Sequence, residues 1–172
     1  MERSTIERAR RGDVEAFEVL VRSRMDAVYR LNLAIVGNEP DARDATQEAF
    51  LVAWRKLATL RDPDRFDAWL QRVCVNACRM TLRGQRRIRE VHLAEEALPG
   101  RGESDAHRDL AWLDAAFRRL SVDERALLTL HHLEGRGLPE LATLLEVPLG
   151  TVKSRLFAAR RVLRAALEAE RR

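Results

Sequence analysis

Between Phe66 and Met80 the apolar residues Phe66, Trp69, Leu70, Val73, Ala77 and Met80 fall at i, i+3, i+4, i+7, i+11 and i+14. That period marks one face of an α-helix; strand side chains alternate between two faces and cannot present it. The same period recurs upstream. Phe17, Leu20, Val21, Val28 and Leu31 form a stripe that begins after Gly12 and is closed by Gly37-Asn38-Glu39-Pro40. Asp41 to about Leu60 reads as a further helix, in which Ala42, Ala45, Ala49, Val52 and Ala53 give a small-residue face suited to close helix packing. Phe50, Trp54 and Leu57 lie on another flank. Arg61-Asp62-Pro63-Asp64 breaks the pattern, with Asp64 expected to cap the next helix, which runs to about Arg83. Only 8 Gly and 5 Pro in 172 residues leave little for a turn-rich β architecture. The expected class is all-α.

The periodicity fades from Gly84 to about Arg108, where Arg86, Arg87 and Arg89 give way to Glu95-Glu96 and Pro99-Gly100-Arg101-Gly102. Roughly 25 residues without an apolar stripe exceed an ordinary intradomain loop, so a flexible linker between two small helical domains is expected. A short helix near Val91 to Ala97 is allowed within it. The expected organisation is a first domain over 10–83, a linker over 84–108 and a four-helix domain over 109–170. Leu110, Leu113, Phe117 and Leu120 open the second domain. Ser121-Val122-Asp123-Glu124 has the form of a capping box for a helix carrying Leu127, Leu130 and Leu133. Pro139 to Leu145 reads as a short helix with Pro in its first turn, followed by a long final helix with Val152, Leu156, Ala159, Leu163 and Ala166 facing inward.

Residues 138–158, LPELATLLEVPLGTVKSRLFA, have the form of a helix-turn-helix. Leu141, Leu144 and Leu145 face a core, Ala142 permits close crossing, and Val152 and Leu156 seat the second helix. Thr151, Lys153, Ser154, Arg155 and Phe157 are left toward solvent, where the N-terminal side chains of such a helix reach base edges and phosphates in the major groove. Charge agrees with this. The chain holds 31 basic and 27 acidic residues, yet from Thr151 onward seven basic residues face only Glu168 and Glu170. The excess positive charge therefore sits on the terminal helix, as a polyanion-binding surface requires.

Other chemistries find no support. Cys74 and Cys78 lie one helical turn apart but lack two further ligands at a recognisable metal spacing, so they read as small buried thiols and no metal is expected. His131 and His132 are adjacent and point about 100° apart on a helix, so they do not share a metal. No nucleophile motif or phosphate-cradling glycine loop accompanies them. No catalytic residue and no cofactor are expected. Neither a signal peptide nor the roughly 18 apolar residues of a membrane span is present, so a cytoplasmic protein with no membrane insertion of its own is expected.

GTVKSRL at 150–156 resembles the segment with which extracytoplasmic-function sigma factors of the sigma-70 family read the −35 promoter element. The first block resembles the other half of the same family through Asp41-Ala42-Arg43-Asp44-Ala45-Thr46-Gln47-Glu48-Ala49-Phe50, Ala53-Trp54, Phe66-Asp67-Ala68-Trp69-Leu70 and Val75-Asn76. The two motif sets stand in family order over about residues 13–168. The resemblance implies an RNA polymerase sigma factor that directs promoter recognition and transcription initiation without catalysis of its own. Its partners would be core RNA polymerase, promoter DNA and an anti-sigma factor. Asp44, Gln47, Glu48, Phe50 and Trp54 would bind the polymerase. Arg61, Asp62, Arg65, Arg72, Asn76 and Arg79 would take the −10 element, and Thr151, Lys153, Ser154, Arg155 and Phe157 the −35 element. Arg72, Asn76 and Arg79 lie at i, i+4 and i+7, a stripe able to follow a strand. Three positions depart from the family pattern: Glu146 stands where Gly is usual in the turn, Ala158 where Arg is common, and Leu138 where a capping hydroxyl is common. A stand-alone helix-turn-helix regulator, binding a twofold operator without polymerase, is the alternative reading.

Overall fold

A computed structural model describes the backbone of residues 2–92 and 111–170 and the side chains of 2–84 and 115–169. The described residues form helices α1 (Glu2–Arg10), α2 (Val14–Val36), α3 (Glu39–Lys56), α4 (Phe66–His92), α5 (Ala111–Arg118), α6 (Val122–His132), α7 (Leu138–Leu145) and α8 (Leu149–Glu170). Two short 3₁₀ turns, Leu57–Thr59 and Pro63–Arg65, connect α3 to α4. The all-α expectation holds.

The N-terminal segment, ahead of the stripe that begins after Gly12, also forms a helix. In α1, Ile6 and Ala9 are buried against the bundle, and the C-terminal end is tied down by Arg8 donating to Asp13 at 2.7 Å. Asp13 in turn caps α2, its Oδ1 accepting from the Ala16 amide at 3.0 Å. That bond, the largest cause, and the Arg8 guanidinium hold its carboxyl below the usual range. At the other end of α2, Gly37 adopts φ 85°, a left-handed conformation that favours glycine, and returns its amide to the Leu33 carbonyl. Asn38 then caps α3, whose start at Glu39 precedes the expected Asp41.

The alanine face of α3 is its core face. Ala42, Ala45, Ala49 and Ala53 are buried, and α3 packs on both α2 and α4. A buried polar cluster ties these three helices together. Asn32 of α2 donates to Thr46 Oγ1 of α3 at 3.0 Å and accepts from the Cys78 thiol of α4 at 3.3 Å. Into α4 the expected cap is corrected: Asp62, not Asp64, accepts from the Asp64 amide at 3.0 Å, and Pro63 is the first residue of the turn. Helix α4 runs on to His92, past the expected end near Arg83, so the proposed linker start at 84 falls inside a helix. The short helix expected near Val91 to Ala97 lies largely outside the described residues.

In the C-terminal set the capping box is present, with the Glu124 amide donating to Ser121 Oγ and Glu124 accepting from the Ser121 amide. Leu127 and Leu130 are fully buried, whereas Leu133, expected on the same helix, is its C-cap and is exposed. Helices α7 and α8 form the helix-turn-helix, with Leu141, Leu144, Leu145, Val152 and Leu156 buried between them and α6. The two sets are in contact: α6 packs on α2 and α4, and α7 on α4. At this junction Arg125 donates to the Val36 carbonyl at 3.1 Å, an orphan acceptor at the end of α2.

Burial raises both thiols, Cys78 to about 12, and Cys74 is raised further by Cys78 itself. Since the thiolate is the reactive form, both should be inert in the native state. A thiol reagent at pH 8 is expected to modify neither cysteine in native buffer and both in denaturing urea. Rapid modification of either in native buffer would contradict this packing.

Candidate nucleic-acid interface

Three surfaces gather the residues singled out in the sequence. The first is the flank of α3 opposite its alanines. Asp44 and Gln47 are exposed, Glu48 is half-buried, and Trp54 is 39% exposed although its ring packs on Phe17 at 4.9 Å between centroids. Asp44, Gln47, Leu51 and Trp54 follow at i, i+3, i+7 and i+10, which makes one outward stripe. Leu51, 42% exposed, belongs to that stripe and was missed; its helical spacing from Asp44 and Gln47 was the available signal. Phe50 does not join it, being half-buried against the core.

The second surface comprises the 57–65 segment and one side of α4. Arg61 and Arg65 are exposed, and Arg65 leans toward Asp62 at 3.7 Å. Asp62 spends one oxygen on its capping bond. Arg61 shares a polar recess with Arg3, Arg10 and Arg11 of the N-terminal segment, three arginines that sequence reading passed over. Arg3 is paired with Glu7 and Asp64. The expected stripe Arg72, Asn76, Arg79 is differently engaged. Arg79 donates to Asn76 Oδ1 at 2.8 Å and to Asp123 of α6 at 2.8 Å, and Arg72 pairs with Glu146 in the turn between α7 and α8. Neighbouring Gln71 bridges Glu134 at 3.0 Å and Arg136 at 2.9 Å.

The third surface is the outer face of α8. Lys153, Ser154 and Phe157 are exposed, Phe157 by 71%, and Thr151 is half-buried at the start of the helix. Ser154 Oγ is spent on the Thr151 carbonyl at 3.1 Å. Arg155 is half-buried and donates to Asp123 Oδ2 at 3.0 Å. Farther along, Arg160 donates to His132 Nε2 at 3.2 Å. Partial burial first, then His131 and Arg160, holds His132 below its ordinary value, which keeps that nitrogen free to accept. His131 Nδ1 lies 2.8 Å from the Arg136 carbonyl, so both rings are spent on protein contacts. Among the described residues no group of three or more His, Cys, Asp or Glu is arranged to hold a metal, and no helix is long and apolar enough to cross a membrane.

The two ends of α7 hold two of the departures from the family pattern. Gly137, not Leu138, is the cap of α7, and its amide donates to Glu140 at 2.8 Å, so no hydroxyl is needed at 138. Glu146, which stands where Gly is usual, adopts φ 55° and ψ 44°, a left-handed conformation that favours glycine.

A helix-turn-helix with a basic, aromatic outer face, set against a second helical module with its own arginine-bearing surface, defines a two-module DNA-binding protein. Residues 20–88 match the family model for sigma-70 region 2, and residues 110–163 match that for sigma-70 region 4. The chain is 32% identical to the RNA polymerase sigma-H factor of Pseudomonas aeruginosa, over 95% of this chain and 92% of that one. It is 30% identical to the ECF RNA polymerase sigma-E factor of Escherichia coli K12, over 92% and 90%. Among solved structures it is similar to CnrH in complex with the cytosolic domain of CnrY, with a TM-score of 0.72 at 28% identity over 98% of this chain and 97% of that one. The chain belongs to the sigma-70 family, in its extracytoplasmic-function group, and is an RNA polymerase sigma factor. The family is not one of catalysts.

The left-handed Glu146 yields a stability prediction. Glu146→Gly removes strain of roughly 1 kcal/mol. It also removes the Arg72 pair, which is largely exposed and therefore worth little. The urea midpoint of the variant is expected to rise; a fall would show that the Arg72 pair outweighs the backbone strain.

Proposed function

We propose that residues 10–83 and 109–170 act as two working units, one gripping core RNA polymerase and the −10 element, the other reading the −35 element. The observation that carries this is the stripe Asp44, Gln47, Leu51 and Trp54. Two large apolar side chains stand exposed among polar ones on a helix whose opposite face is entirely spent on core packing. Such aromatic anchors ringed by polar groups are what protein interfaces use. A stand-alone regulator has no use for this surface unless it dimerises.

For the DNA, Arg61, Asp62 and Arg65 present the loop before α4 to an unstacked base, and Arg72, Asn76 and Arg79 follow the strand. Unstacking costs a few kcal/mol, which pocket contacts offset. The recess of Arg3, Arg10, Arg11 and Arg61 supports an added phosphate contact beside that loop. On α8, Thr151, Lys153 and Ser154 suit phosphates, Arg155 a guanine edge and Phe157 a thymine methyl. The chain itself performs no chemistry in this reading and works in the cytoplasm, where the polymerase is. Control by a protein partner, an anti-sigma factor in this reading, is supported by the similar CnrH, which was solved in complex with a second protein, the cytosolic domain of CnrY.

Footprinting of promoter DNA with and without core polymerase tests the assignment. Protection over both elements is expected only with core enzyme, and Trp54→Ala is expected to abolish it at equal concentration while leaving the circular dichroism spectrum intact. A strong twofold footprint from the protein alone would favour the stand-alone regulator. Loss of helicity in Trp54→Ala would assign that ring to the core.

A further inference from the structure

Two arginines assigned above to different promoter elements share one carboxylate. Asp123, in the first turn of α6, accepts from Arg79 Nε of α4 through Oδ1 at 2.8 Å and from Arg155 Nη1 of α8 through Oδ2 at 3.0 Å. All three side chains are partly shielded, with exposures of 23%, 36% and 31% for Arg79, Arg155 and Asp123. Beside this cluster Glu146, in the turn of the helix-turn-helix, holds Arg72 of α4. Three of the six cations proposed to touch the two promoter elements are therefore bound by Asp123 and Glu146 of the C-terminal set, and two of these pairs cross between the helical sets.

We propose that Asp123, assisted by Glu146, is an intramolecular clasp that holds the two sets together and keeps Arg72, Arg79 and Arg155 from DNA. The proposal rests on the assignment of Arg72 and Arg79 to the −10 element and of Arg155 to the −35 element. Geometry then makes the clasped form incompetent for a promoter. The two elements are roughly 25 base pairs apart, about 85 Å of B-form duplex at 3.4 Å per pair. Arg79 and Arg155 donate to the two oxygens of one carboxylate, so they cannot stand at both elements together. Opening must separate α4 from α6 and α7.

The chemistry makes the clasp exchangeable. A guanidinium that bonds a carboxylate bonds a phosphate oxygen by the same charge-assisted geometry, so polyanionic DNA competes directly with Asp123 and Glu146. Asp123 also screens two cations from each other. Removing its charge leaves Arg79 and Arg155 facing one another across the junction, and like charges at that range repel. The apolar contact of α6 on α2 and the Arg125 bond to Val36 supply the part of the closure that DNA does not contest.

The test uses the full chain without polymerase. Asp123→Asn combined with Glu146→Gln preserves shape and removes both charges. Small-angle scattering is expected to show a larger radius of gyration for this variant than for the wild type. Its affinity for a duplex carrying the −35 element is expected to rise at least about tenfold, because apparent affinity scales with the fraction of open molecules. The wild-type radius should likewise grow as salt is raised, since partly exposed pairs are screened. This salt series stands in for the variant if circular dichroism shows that the variant has unfolded. Wild-type dimensions and affinity in a folded variant, or a salt-independent radius, would overturn the clasp. Expansion without tighter binding would overturn the sequestration. Failure of the underlying assignment is seen separately, as a wild-type holoenzyme that protects neither element.

Discussion

The amide of Asn32 has no access to solvent, and a buried amide must find partners or lose the free energy of its hydration. It finds them on two other helices, donating to Thr46 on α3 and accepting from Cys78 on α4. This fixes more than a local contact. Alanine faces slide over one another easily because few side chains interlock, so the small-residue face of α3 alone would leave its register loose. The Asn32 cluster pins that register. Once α3 is pinned, the stripe from Asp44 to Trp54 is turned outward, and once α4 is pinned, Arg72 and Arg79 are turned toward α6 and α7. Both the proposed polymerase surface and the proposed DNA surface are consequences of how three helices meet at one buried side chain.

The C-terminal helices are joined to this frame by forces of two kinds. Apolar packing of α6 on α2 is indifferent to salt and DNA. The pairs made by Asp123 and Glu146 are partly exposed and charge-dependent, and their cationic partners are groups that nucleic acid also binds. A promoter-reading protein needs its basic residues available at the right moment and quiet otherwise. Pairing them with acids of the same chain meets both needs without lowering the number of arginines. The chain has acids enough for this, with 27 acidic residues beside 31 basic ones and a net charge of only +4.

Much of this was legible in the sequence. The spacing from Phe66 to Met80, the capping box at Ser121 and the leucines of the helix-turn-helix are local patterns, and each formed the element that its pattern specifies. Even the left-handed Glu146 was visible as the residue occupying a glycine's place. Helix α1 was missed because it contributes only Ile6 and Ala9 to the core, too few to make a stripe over nine residues. Helix α4 was ended too early because Gly84 and the following basic residues dilute its apolar period. The partners of Arg72, Arg79 and Arg155 were not legible at all. A helix's polar face shows where charges point along one element, whereas ion pairs across elements depend on how those elements dock, and docking here is set by Asn32, Arg125 and the burial of α6.

Transcription itself offers the most direct check. Purified core polymerase from a bacterium carrying this chain should be incubated with genomic DNA and nucleotides, with and without the protein, and the 5′ ends of the transcripts sequenced. The account predicts a discrete set of new start sites that appear only with the protein and share common sequences at both upstream elements. Identical transcript ends in the two reactions, with the protein shown to be folded and free of inhibitor, would contradict it.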